Sequence, residues 1–270
     1  MGNIFSILFV NPITNVLVAA YHVLAFIGVP YALGFSIIVL TVIIKLILWP
    51  FVSAQIKSTT KMQKMAPHMA ALKEKHKDDK KRQQEEMMKL YKEHGVNPAA
   101  GCLPLIIQLP IIWSLYGVLT KVVAVHSISS LNAINKVLYF DFLKLNRLWD
   151  STFFGISLAA SPSKELATAP YLLLVPVLTG VFQFILSKMM VPQDTGVVKA
   201  VEKKEEDFST AFQKQSLFLF PIMIGFFSYS LPLGLSLYWN TFTIFGILQQ
   251  YLLVGSGGAK PWFEKIGLKK

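Results

Sequence analysis

The sequence predicts an all-α membrane protein: five transmembrane helices around an inner-leaflet hydrophilic groove, with a cytoplasmic helical hairpin and an N-terminal interfacial helix. Three observations predict it. The 270 residues are 53% hydrophobic and only 15% charged, with a mean hydropathy of +0.50, which leaves too little polar surface for a soluble domain of this length. Charge is also segregated. Residues 1–44, 95–120, 166–187 and 215–259 contain no Asp, Glu, Lys or Arg, and a helical span needs about 20 apolar residues. Finally, Lys45 stands alone inside the first span, followed by the apolar run Leu46 to Val52. An ionisable residue there costs about 2.5–3.5 kcal/mol on insertion scales, which marks it as a functional candidate.

The opening segment, 1–28, has no basic n-region and is broken by Asn11-Pro12, unlike a signal peptide. Thr14, Asn15 and His22 interrupt its apolar residues, which suits a helix lying in the membrane interface. A sixth span is the alternative. The core then extends over 29–253. Span 1 covers about 29–52. Residues 55–95 follow as a helical hairpin: Met62, Met65, Met69 and Leu72 recur at helical spacing, and Pro67 is expected to kink or shorten the first helix. Lys77-Asp78-Asp79 makes a polar break whose Asp residues offer a cap for the second helix, in which Lys89 follows Glu85 by four residues. Gly95 is a C-terminal stop.

Asn97-Pro98 opens span 2, about 98–122, with Pro104 and Pro110 inside it. The segment 126–168 is weakly patterned, and Trp149, Phe153 and Phe154 suggest that it lies against the membrane surface. Span 3 covers about 169–190. A second loop, 191–214, mixes both signs of charge and reads as a solvated connection. Spans 4 (about 215–231) and 5 (about 233–253) are joined by the turn signal Leu231-Pro232-Leu233-Gly234. The tail 254–270 contains Gly255-Ser256-Gly257-Gly258 and reads as flexible and basic.

Lys and Arg near the spans set orientation. The segments 57–94, 188–214 and 254–270 contain 20 of the 26 basic residues and are connected by even numbers of crossings. The N-terminus is therefore expected outside and the C-terminus in the cytoplasm. A single cysteine, Cys102, excludes a disulfide framework or cysteine metal cluster.

At about 1.5 Å of rise per residue, Lys45, Gln108 and Gln183 fall roughly 10–15 Å from the inner end of their spans. Span 5 adds Ser236, Tyr238, Trp239, Asn240 and Thr241 nearer the outside and midplane. With no carboxylate in any span, these residues suggest a positively charged groove open to the cytoplasm, not a proton or cation relay. Other readings stay open at this point. Lys45 has a stem long enough to snorkel to the headgroups. The glutamines could serve only as interhelical hydrogen bonds. The methionines could be the hairpin's own core as readily as an adaptable docking surface.

Three stretches resemble the YidC family of membrane protein insertases, with its mitochondrial and thylakoid relatives. The first is Lys45-Leu-Ile-Leu-Trp-Pro50 with Gln55 and Lys61-Met62. The second is Asn97-Pro98 followed by Gly101-Cys102-Leu-Pro104 and Gln108-Leu-Pro110. The third is Leu231-Pro232-Leu-Gly234 leading to Tyr238-Trp239-Asn240. The resemblance covers about 12–255. It implies insertion of hydrophobic segments of newly made proteins into the bilayer without nucleotide hydrolysis or any enzymatic step. Lys45 would stand where the family usually has arginine; lysine keeps the charge but not the bidentate fork. Gln108, Gln183, Tyr238, Trp239 and Asn240 would line the groove, and Met62, Met65 and Met69 would capture clients. The implied partners are nascent membrane proteins and membrane lipids, with the Sec translocon and the ribosome as further candidates. No cofactor, metal or specific nucleic acid sequence is implied, and the expected location is the bacterial plasma membrane. The competing functions are a small anionic-solute transporter or channel using Lys45 as its binding charge, and an assembly chaperone that inserts nothing by itself.

Overall fold

The computed structural model describes residues 4–95, 103–123, 128–191, 208–265 and 267. Asn97-Pro98, Gly101-Cys102, Lys269-Lys270 and most of the second loop lie outside the described residues. Helices dominate: α1 (Asn11–Phe26, entered through a π-helical turn at Ser6–Val10), α2 (Ala32–Lys75), α3 (Lys80–Glu93), α4 (Leu103–Val123), α5 (Ile128–Asn135), α6 (Pro162–Glu165), α7 (Leu174–Met190), α8 (Phe208–Ser230), α9 (Leu233–Val254) and α10 (Lys260–Lys265). The one sheet among the described residues is a hairpin of β1 (Thr152–Phe153) and β2 (Ile156–Ser157). By length and composition, Ser6–Phe26, Ala32–Lys75 and Pro170–Met190 could each cross a membrane, and Leu217–Ser230 is a shorter apolar helix. The chain is an all-α membrane protein.

Two compact units share the chain. The first comprises Met1–Ile47, Ile107–Gln183 and Pro221–Phe245. Its core is built from helical repeats of apolar residues: Leu33, Ile37 and Leu40 on α2, and Leu115, Val118 and Leu119 on α4, all essentially fully buried. Leu17 and Val18 of α1 are equally buried. Polar side chains fasten α1 to the segment between α5 and β1. Asn15 donates to the Val137 carbonyl at 2.9 Å and accepts from the Tyr139 amide at 2.7 Å. His22 Nε2 donates to the Leu143 carbonyl at 2.9 Å, and the Tyr21 ring meets Trp149 edge-on at 5.1 Å. Two of the polar residues that argued against a simple span, Asn15 and His22, are thus tethers, while Thr14 bonds back to the Val10 carbonyl.

The aromatic residues of 126–168 divide between core and surface. Trp149 is buried beneath Tyr21 instead of facing outward. Phe153 packs on Phe35 and lies so close over Gly34 that a Cβ there would strike its ring. Phe154 is exposed because the hairpin turn puts it at φ 49°, followed by Gly155 at φ 79°, the two left-handed positions of a two-residue turn. Beyond this hairpin, the carbonyls of Ala160 and Leu158 accept from the Leu233 and Gly234 amides at 2.8 and 2.9 Å. They satisfy first-turn donors of α9 that have no intrahelical partner. The turn at Leu231-Pro232 is where the sequence places it.

The second unit comprises Leu48–Ile106, Phe184–Phe220 and Gly246–Lys270. Here α2 continues unbroken to Lys75 as one 44-residue helix containing both Pro50 and Pro67. The expected separate span and hairpin helix are therefore one element, and Pro67 does not end it. A proline removes a single backbone donor, and the turns on either side carry the helix past it. Asp79 caps α3, accepting from the Arg82 amide at 3.0 Å, and Gly95 ends the hairpin at φ 61°. Lys89 pairs with Glu86 at 2.7 Å, three residues away, and not with Glu85.

The tail also differs from expectation. Gly257–Ala259 forms a 3-10 turn into α10, Ala259 is fully buried, and the aromatics of α10 are anchored. Trp262 packs on Phe184 with ring centroids 5.9 Å apart, and Phe263 stacks on Tyr251 at 5.7 Å. Two aromatic anchors within a few residues outweigh the entropy of the glycine-rich approach.

Candidate functional site

Lys45 projects from α2 within the first unit, on the face that carries Thr41 and Ile37, one and two turns earlier. Thr41 is fully buried and bonds back to the Ile37 carbonyl. Lys45 is only 4% exposed. Its Nζ lies over the Phe242 ring of α9, 3.4 Å from the centroid. Among the described residues no carboxylate pairs with it and no acceptor takes its protons. The side chain is folded into the unit, so the snorkelling alternative does not describe it.

Phe242 lies one turn after Tyr238 on α9, and their rings are 5.8 Å apart. Tyr238 is completely buried, and its hydroxyl accepts from Gln108 Nε2 of α4 at 3.0 Å. The structure therefore joins Lys45, Phe242, Tyr238 and Gln108 into one chain of contacts drawn from α2, α9 and α4. Tyr238 is both core packing and a hydrogen-bond partner. Around it, Trp239 Nε1, Asn240 Oδ1 and Thr243 Oγ1 are buried and find no hydrogen-bond partner among the described residues. Each such atom costs on the order of 1–3 kcal/mol if it stays unsatisfied, so polar matter that satisfied them would be held there.

Gln183 is half-buried on α7, and no hydrogen bond joins it to Lys45, Gln108 or Tyr238. Gln183 thus stands apart from the contacts that gather the other site residues. The methionines of the hairpin divide. Met65 is 5% exposed and packs with buried Tyr91, so it is hairpin core; Met62 and Met69 are half-buried at its edge, with Met87 and Leu90. The Tyr91 hydroxyl reaches Met69 Sδ at 3.6 Å. Burial pushes the Tyr91 phenol above its ordinary pKa. Buried Met65 cannot itself touch a client without opening the hairpin.

Sequence reasoning missed Phe242, which carries no polar atom, and a hydroxyl ladder in the same unit. Thr179 of α7, Ser228 of α8 and Ser236 of α9 are all buried, with Oγ atoms 3.2 and 2.9 Å apart in turn. The signal was one small hydroxyl per helix, which is too common in spans to single out. Beside the ladder, α7 and α8 approach closely. A Cβ on Gly180 would lie 3.4 Å from the Pro221 carbonyl, and one on Gly225 would lie 3.2 Å from the Pro176 carbonyl. Both helices use a proline and, four residues on, a glycine, and the contact is reciprocal.

A sequence profile of the family described as "60Kd inner membrane protein" matches residues 24–257, most of the chain. The chain belongs to this family. A relative in Fusobacterium nucleatum, "Membrane protein insertase YidC", is 34% identical over 224 residues, 83% of this chain and 87% of its own length. "Membrane protein insertase YidC 1" of Halalkalibacterium halodurans is 32% identical over 269 residues, 97% of this chain and 84% of its own. "Inner membrane protein ALBINO3, chloroplastic" of Arabidopsis thaliana is 33% identical over 255 residues, and there the match spans 88% of this chain but only 50% of the relative. All of the gathered site, from Lys45 to Phe242, falls inside the 60Kd inner membrane protein match.

Proposed function

We propose that this chain is a membrane protein insertase. It lowers the barrier for hydrophobic segments of newly made proteins to enter the lipid bilayer from the cytoplasm. No bond is made or broken and no nucleotide is hydrolysed. The supporting observation is the buried Lys45 ammonium, free of any carboxylate among the described residues, in a chain about a third identical to named insertases along most of its length.

The physical problem is the polar flank of the incoming segment. Carrying an unpaired charge or bare backbone through hydrocarbon costs several kcal/mol per group. A groove containing Lys45, Gln108, Gln183, Trp239 and Asn240 would offer that flank a charge and hydrogen-bonding partners. The adjoining apolar stretch would slide along α7 and α9 into lipid, and burial of its apolar surface would supply the free energy. Met62 and Met69, at the open edge of the hairpin, would make the first contact with the client. This reading places the protein in a bacterial plasma membrane, N-terminus outside, with the Sec translocon and the ribosome as candidate partners.

The test is reconstitution into liposomes with a single-span client bearing an acidic outer segment, scored by protease protection. Insertion should require the protein, fall strongly with Lys45→Glu, and change modestly with Lys45→Arg. Full insertion by Lys45→Glu would remove the electrostatic part of the mechanism. Failure to insert this or any other simple client would favour an assembly chaperone, and anion flux without insertion would restore the transporter reading.

A further inference from the structure

We propose that Phe242 is a positioning residue for Lys45: its ring holds the ammonium at depth between clients and releases it to an acidic client segment. Lysine has a long flexible stem, and a buried ammonium with no carboxylate has every reason to leave for the headgroups. Yet Lys45 is 4% exposed, and its Nζ sits 3.4 Å from the Phe242 centroid, over the ring face where the aromatic quadrupole is negative. No hydrogen-bond acceptor competes for it among the described residues. The ring in turn is set by its neighbour: Tyr238 lies 5.8 Å away, completely buried and bonded to Gln108. The charge is therefore held by packing, from α9 to α2.

The choice of an aromatic face over a carboxylate has a consequence. A cation–π contact is weaker than a charge-assisted hydrogen bond. A client carboxylate can draw the ammonium off Phe242, and when the client leaves, the ammonium returns to the ring. An internal Asp or Glu would hold Lys45 permanently and cancel its charge. A simple aliphatic neighbour would not hold it at all. Phe242 is thus a specificity determinant for acidic over neutral segments. The functional part of this inference rests on the insertase reading; the ring contact does not.

The test replaces Phe242 by phenylalanines bearing one, two and three ring fluorines, which drain the π face with little change of shape, and by Leu and Trp. Two quantities are read in reconstituted full-length protein. The first is modification of Lys45 by a small amine-reactive reagent, relative to Lys61 of the hairpin, by mass spectrometry. The second is the ratio of acidic-client to neutral-client insertion. Lys45 modification should rise stepwise with fluorination, to about threefold or more in Phe242→Leu, and stay near the wild-type value in Phe242→Trp. The insertion ratio should fall in the same order and by a similar factor. Lys45 modification indifferent to fluorination overturns the ring contact, whatever the protein inserts. Stepwise modification with an unchanged ratio overturns the specificity role. If the wild type inserts no client, the insertase reading fails while the modification series still decides the ring contact.

Discussion

Gln108 and Tyr238 hold each other in place across 130 residues of sequence: the amide donates to the phenol oxygen at 3.0 Å, and the phenol is fully buried. Replacing Tyr238 by Phe keeps the ring beside Phe242 and removes only the acceptor. The half-buried Gln108 amide then loses its partner, and stability should fall by about 1 kcal/mol, the usual worth of such a bond. Gln108→Leu should cost a similar amount, and the double variant should cost little more than either single one, since both remove the same bond. Unfolding in mild detergent measures all three. Simple additivity of the two single effects would show that the bond is not what couples the residues.

The crossing of α7 and α8 should tolerate side chains unequally. At Gly180 an added methyl would be in ordinary contact with the Pro221 carbonyl at 3.4 Å. At Gly225 it would press on the Pro176 carbonyl at 3.2 Å and lie near Gly180 itself. Gly180→Ala should therefore be nearly neutral, Gly225→Ala mildly destabilising, and Gly225→Val should cost about 1–3 kcal/mol, as overpacking does. Thermal midpoints in lipid nanodiscs would rank the three. A Gly180→Ala variant less stable than Gly225→Val would contradict the geometry.

The fold class was legible because its determinant is chemical: charge-free windows about 20 residues long leave the chain little alternative to membrane helices. The turn at Leu231-Pro232 and an aspartate cap on α3 were legible for the same reason, being set by local chemistry; that Asp79 and not Asp78 supplies the cap was not. Depth counting brought Lys45 and Gln108 together with Gln183 and left Tyr238 nearer the outside and midplane, although Tyr238 is what links Gln108 to the Lys45 contact through Phe242. It could not fix rotation about the helix axis, so Gln183, at a similar expected depth, does not join their contacts. Phe242 was invisible because one phenylalanine among 20 carries no sign of what stands over it. The ordered tail was misread for a related reason: a glycine run signals flexibility only until something docks behind it, and Trp262 and Phe263 do.

The hairpin should depend on Met65 more than on its neighbours. Met65 is 5% exposed against Tyr91, whereas Met62 and Met69 lie at the edge. Met65→Ala should cost about 2 kcal/mol, at the lower end for a buried methionine because the hairpin core is small. It should also raise hydrogen exchange throughout α3. Met62→Ala and Met69→Ala should change exchange little while reducing crosslinking to an arriving client. Equal exchange in all three variants would argue against this division between core and edge.

The last carbonyls of α7 have no intrahelical donor. Gln63 Nε2 donates to the Met190 carbonyl at 2.6 Å, Gln250 Nε2 to that of Met189 at 3.4 Å, and the Gly258 amide to that of Val191 at 2.9 Å. The tail is thus one of three caps on this helix end, and Trp262 adds an aromatic anchor on Phe184. Gly257 makes the docking possible. It sits at φ 50°, and a Cβ there would collide with the Met189 carbonyl. Gly257→Ala should therefore undock the tail as effectively as truncation after Val254. Both variants should speed amide exchange in the last turn of α7 and expose 255–265 to protease, while exchange in α4 stays unchanged. Trp262→Ala, which keeps the Gly258 bond and loses only the ring contact, should give an intermediate effect. A truncated chain whose α7 end exchanges at the wild-type rate would mean that the two glutamines suffice and the tail contributes nothing there.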